Sequence, residues 1–139
     1  MTLGLLTTDW GDGEAPPMLR EAVERATGDL LHCAPLPLRL HGRRDPGDAD
    51  VWVIEAHVGA TVTGFWLTTN CGPAALVSDV ADRLQEVFIE EERRAVPKCS
   101  LHEHPLSAID VDGEARWQCM SDPAAWSCTI GELAERLDS

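Results

Sequence analysis

A chain of 139 residues with 44% hydrophobic content has the material for one globular domain whose core needs no disulfide. Its 24 acidic residues against 11 basic ones leave a net charge of −13, which repels a nucleic-acid backbone and an anionic membrane surface alike. No apolar run reaches the length of a membrane span and no signal-peptide pattern opens the chain, so a cytoplasmic setting is expected.

Residues 1–16 read as an irregular lead-in, broken by the polar stretch Asp9-Trp10-Gly11-Asp12-Gly13. Pro16-Pro17 then opens a helix, and Leu19, Ala22, Val23 and Ala26 fall at helical spacing up to a stop at Gly28, which predicts a helix over 17–27. The next segment, 30–41, starts around His32-Cys33 and alternates at Leu36, Leu38 and Leu40, a strand with one buried face. Pro35 and Pro37 place it at a sheet edge. The charged stretch 42–50, with Asp45-Pro46-Gly47, reads as a turn.

Strands over 51–58 and 61–69 are the clearest, joined by Gly59-Ala60 as a tight hairpin. Trp52, Ile54, Ala56 and Val58 share one face, while Val51, Val53, Glu55 and His57 share the other. A helix over 73–94 follows. Leu76, Val77, Val80, Ala81, Leu84, Val87 and Phe88 make its apolar stripe, opposite a row of acidic residues. Asp112-Gly113 turns a second hairpin, 107–111 with 114–120, in which Ile109 and Val111 are expected inside with Trp117 and Cys119. Thr129-Ile130-Gly131-Glu132 reads as a capping box, with Ile130, Leu133 and Leu137 as the apolar edge of a last helix. The result is a single α+β domain over 1–139, an antiparallel sheet covered by helices in the order α-β-β-β-α-β-β-α.

Chemistry concentrates in the segment 97–128. Cys99-x2-His102-x-His104 is followed by Cys119 and Cys128, residue types that zinc takes in tetrahedral sets of four. With the hairpin turning at Asp112-Gly113, residue 119 falls opposite residue 106, so Cys119 returns beside His102 and His104. Cys128 could return across the Asp122-Pro123 turn. The odd number of cysteines, five, fits free thiols or metal ligands. Three readings stay open: a zinc site, a cysteine nucleophile with a histidine base, or half-buried thiols beside surface histidines. No Gly-rich phosphate loop or nucleophile elbow is present, and no residue is assigned a catalytic role.

Two further features bear on partners. Glu55 and His57 lie on one strand face, an acid–base pair or simply its solvated side. Phe65-Trp66 puts large rings on opposite faces of one strand. One belongs to the core, and the other is a candidate centre for contact with a partner or a second copy. The acidity itself suits a basic protein target, as in an immunity protein or a DNA mimic.

From Pro17 to Leu137, the order of elements, the small size and the acidity resemble the class I type III secretion chaperones and related chaperone-like domains. The first half alone, α-β-β-β-α, also looks like a double-stranded RNA-binding domain, a use the charge argues against. The chaperone resemblance implies a non-catalytic protein, commonly a homodimer, that holds an extended segment of another polypeptide on apolar patches. The helix 73–94 or the strand 61–69 would then be the contact surface. No individual residue carries over from that family.

Overall fold

The computed structural model describes residues 5–11, 14–122 and 126–137. Among them the order is β1 (Leu6–Asp9), α1 (Pro17–Cys33), β2 (Leu38–Asp45), β3 (Asp48–Val58), β4 (Thr61–Thr68), α2 (Pro73–Glu92), β5 (Ser107–Val111), β6 (Glu114–Gln118), β7 (Ser127–Thr129) and α3 (Leu133–Leu137). The α+β class and the expected series of elements are present, with two short strands, β1 and β7, added to it. One sheet has the order β1-β2-β3-β4, with β1 parallel to β2 and the other pairs antiparallel. The second is the antiparallel set β5-β6-β7.

The core follows the alternation of the strands. On β3, Trp52, Ile54, Ala56 and Val58 are buried and Glu55 is exposed. On β4, Phe65 and Leu67 point the same way as the β3 set, and Val62, Gly64 and Trp66 point out. Helices α1 and α2 pack side by side, α2 lies over β3 and β4, and β5 runs beside α2. The apolar stripe of α2 is buried from Leu76 to Phe88, and the helix ends at Arg93, whose φ of 58° is left-handed. No described helix is long and apolar enough to cross a membrane.

Several local expectations are corrected. Helix α1 does not stop at Gly28 but runs to Cys33, so His32 and Cys33 end a helix instead of opening a strand. A helical glycine costs about 1 kcal/mol, and burying Leu30 and Leu31 returns about 1.5–3 kcal/mol each. The lead-in is not wholly irregular: Leu6–Asp9 pairs with 38–41 and takes the edge expected of β2. Pro35 and Pro37 precede β2 and remove no ladder bond from it. The stretch 42–50 is mostly strand, and only Pro46-Gly47 turns between β2 and β3, where the Gly47 N–H donates to Asp45 Oδ2 at 3.0 Å. Its charges face water across a half-solvated ribbon, so they do not oppose pairing.

In the second sheet Ala108 faces Trp117, which puts Ile109 and Val111 on the other side, with Arg116 and Glu114. On β6 Ala115 and Trp117 are buried, as is Cys119 just past its end. Thr129 caps no helix, since α3 starts at Leu133. It lies in β7, and its hydroxyl donates to Glu114 Oε1 at 2.8 Å. Ile130 and Leu133 are buried as expected. Asp12-Gly13, the Pro123 half of the Asp122-Pro123 turn and the side chain of Leu137 lie outside the described residues.

Candidate metal centre

The segment between α2 and β5 closes on itself. The Cys99 N–H donates to the His104 carbonyl at 3.1 Å, and the Leu106 N–H donates to the Pro97 carbonyl at 2.8 Å. Ser107 faces Gln118 across β5 and β6, so one step further residue 106 meets residue 119. Cys119 is thereby delivered to the closed loop, as the hairpin register predicted, and its N–H is held by the Trp126 carbonyl at 3.1 Å.

Three of the five sequence candidates come together here. The ligand atoms of Cys99, His102 and Cys119 all lie within 4.8 Å of one another, a group that could hold a metal ion. His102 Nδ1 is 3.5 Å from Cys99 Sγ and 3.4 Å from Cys119 Sγ. A tetrahedral zinc ion with Zn–S of about 2.3 Å and Zn–N of about 2.0–2.1 Å sets sulfur and nitrogen about 3.5–3.6 Å apart. Both distances fit that spacing, and the donor set of two thiols and an imidazole is one that zinc favours.

Burial raises the Cys99 thiol. The N–H of Leu101, the His102 imidazole, Cys119 and the N–H of His102 outweigh that and hold it down to about 7. N–H groups aimed at sulfur stabilise a thiolate, the form a metal binds. Neither Cys99 nor Cys119 is accessible at the surface, both being 0% exposed. That closure counts against a nucleophile, which must meet a substrate.

His104 stands beside this trio, with Nε2 at 3.7 Å from Cys119 Sγ and 3.2 Å from Ser121 Oγ. Its ring stacks on that of His102 at 5.0 Å. Cys128 does not join. It lies on β7 opposite Trp117, inside the core, and burial first, then the Asp29 carboxylate, push its thiol up to about 12.

A second polar group lies on the uncovered face of the first sheet. His57 Nε2 is 2.7 Å from Glu55 Oε1, and Arg39 reaches His57 Nδ1 at 3.5 Å. An arginine only donates, so Nδ1 is the acceptor and the Nε2–H donates to Glu55. Both ring nitrogens are thus engaged, which leaves no free base. His41 Nδ1 meets Asp9 Oδ2 at 3.1 Å on the same face. Thr7, Asp9, Arg39, His41, Glu55 and His57 line a cavity of about 450 Å³.

The sequence pointed to Glu55 and His57 but not to Asp9, Arg39 and His41, because β1 left no local pattern and the pairing that sets Arg39 opposite His57 and His41 opposite Glu55 was not visible. It also missed Asp29, a buried carboxylate on α1 that holds the second sheet in place. The signal for it was the helical spacing of Ala22, Ala26 and Asp29, hidden by ending the helix at Gly28. On β4, Phe65 is in the core at 8% exposure and Trp66 is 63% exposed.

The chain matches no family model, no curated protein and no solved structure.

Proposed function

We propose that this chain is a non-catalytic, chaperone-like or regulatory module that binds another polypeptide. One observation carries the reading. Strand β4 (TVTGFWLT) forms the outer edge of the first sheet and has no charge and no proline, while Trp66 and Val62 stand exposed on it at 63% and 55%. Edge strands are ordinarily blunted by charge, proline or a bulge, and an unblunted one is a template for pairing. Added strands take their affinity from main-chain bonds and their specificity from side chains such as Trp66. The partner is a protein, a second copy included, and neither nucleic acid nor membrane suits the charge.

The test is recovery of tagged wild-type and Trp66→Ser protein from the native host, with mass spectrometry of what stays bound. A partner retained by the wild type and lost from the variant supports the reading. Identical bound sets from the two proteins would sink it.

A second reading concerns the cofactor. We infer that Cys99, His102 and Cys119 hold zinc in a structural role, in a reducing compartment such as the cytoplasm, where the thiols stay available. The sulfur–nitrogen spacings support it. Bound there, the ion would tie the loop after α2 to the end of β6. Metal analysis of untagged protein tests this: about one equivalent of zinc is expected, and less than about a tenth of an equivalent would end the idea.

A further inference from the structure

We propose that His104 is the fourth ligand, through Nε2, so that the centre is a closed Cys2His2 site with no position left for water or substrate. The inference rests on the metal reading above and concerns what completes it. A zinc site with three protein ligands keeps an open position and does chemistry, whereas one with four is structural. The identity of the fourth donor therefore decides what the centre is for.

The hydrogen bonds of the His104 ring set its tautomer. His104 Nδ1 is 3.0 Å from the Pro105 carbonyl oxygen. A carbonyl only accepts, so Nδ1 carries the proton and donates it there. The lone pair then belongs to Nε2. That atom faces the cluster, 3.7 Å from Cys119 Sγ, close to the sulfur–nitrogen separation of about 3.5–3.6 Å in a tetrahedral zinc site. Metal-bound histidines regularly donate their other N–H to a backbone carbonyl, which fixes the tautomer and the ring orientation.

Two features hold the ring near this position. It stacks on His102 with an interplanar angle of 16°, which keeps it against a member of the trio. Its own carbonyl accepts the Cys99 N–H, which ties the fourth donor to the first through the backbone. The Ser121 hydroxyl, 3.2 Å from Nε2, is the group that would turn away when the lone pair is taken by metal. The competing fourth ligand, Cys128, is committed to the core opposite Trp117. Among the described residues only Cys99, His102 and Cys119 have ligand atoms all within 4.8 Å of one another, so binding draws His104 Nε2 inward from its place beside Cys119, and no aspartate or glutamate competes for that position.

The experiment has two arms. X-ray absorption of the zinc-loaded wild-type protein should show two sulfurs and the outer-shell scattering of two imidazoles; a single imidazole overturns the proposal. Cobalt(II) chloride then replaces zinc, and azide is titrated in. The wild-type spectrum should not move, and that of His104→Ala should shift as azide enters the opened position, with metal affinity lowered on the order of 100-fold. A wild-type spectrum that responds to azide, or a variant with unchanged spectrum and affinity, overturns the proposal. If His104→Ala does not fold, the imidazole count decides alone. A wild-type protein that binds no metal removes this inference and the metal reading together. Full zinc with one imidazole removes only this one.

Discussion

Asp29 Oδ2 accepts the indole N–H of Trp117 at 2.8 Å, across 88 residues of chain. The same oxygen takes the Gly131 N–H at 2.6 Å, and Oδ1 takes the Leu133 N–H at 3.2 Å. One carboxylate on α1 thus fastens β6, the segment after β7 and the start of α3. Substituting Asp29→Asn replaces one acceptor oxygen with an NH2 group, which leaves a buried N–H facing a donor. A loss of about 1–3 kcal/mol is expected, read as a lower urea midpoint. Trp117→Phe removes one bond and keeps most of the ring, so its loss should be smaller.

The pH dependence of that effect has a definite sign. Burial raises the Asp29 carboxyl above its ordinary 3.8, and the bonds from Gly131, Trp117 and Leu133, with the charge of Arg25, only partly offset it. A group that holds its proton more tightly when folded adds stability below its unfolded pKa, and that contribution fades as pH rises through the folded value. The stability gap between wild type and Asp29→Asn should therefore be widest below pH 3.8 and narrow as the pH rises through the raised folded value. Urea melts at a series of pH values measure it, and a gap that widens with pH would contradict the assignment. Exposed Asp9, Glu55 and Glu114 are shifted the other way, so only the difference between the two proteins isolates Asp29.

What the sequence disclosed and what it hid divide along physical lines. The period of two on β3 and the stripe of α2 were legible because burial there is one-sided and regular. The meeting of Cys119 with His102 was legible because a hairpin turn sets register over many residues. Strand β1 was hidden, since four residues pairing in parallel with a strand 32 positions away leave no local pattern. Asp29 was hidden because a charged residue beside Gly28 looks like the end of a helix. Cys128 lies apart from the trio because its place depends on Trp117 filling the core, a packing fact that spacing does not carry.

Gly42 is a site of close approach on β2. A Cβ there would lie 2.6 Å from Trp10 Cζ3, 2.7 Å from Trp10 Cε3 and 2.9 Å from Ile54 Cδ1. The Trp10 ring in turn meets Trp52 edge-on at 5.8 Å. Gly42→Ala should cost about 1–3 kcal/mol by overpacking, with a change in tryptophan emission as Trp10 is displaced. Gly28→Ala is the control, since beyond its chain neighbours and the helix's own backbone nothing lies within 4 Å of the new methyl group, and in a helix it should stabilise by roughly 0.5–1 kcal/mol.

The two buried cysteines Cys119, just past β6, and Cys128, on β7, should separate cleanly. Cys119→Ser removes a sulfur from the proposed zinc site, so zinc content should fall to near zero and chelators should no longer change the melting temperature. Cys128→Ser puts a hydroxyl into the core opposite Trp117 and should cost about 1–3 kcal/mol with zinc content unchanged. Metal analysis and thermal melts of both variants check the pair. Loss of zinc from Cys128→Ser would move that thiol back among the ligands.

Phe65 and Trp66 are neighbours in sequence with opposite expected behaviour. Phe65 packs under α2 with 8% of its surface exposed, so Phe65→Ala should cost about 3–5 kcal/mol. Trp66 stands outward at 63%, so Trp66→Ala should change stability by no more than about 0.5 kcal/mol. If β4 is the binding edge, only the Trp66 variant loses a partner while keeping its fold. Urea melts run beside the binding assay separate the two effects. A Trp66 variant as unstable as the Phe65 variant would mean that the indole is part of the domain's own packing and not an anchor for another chain.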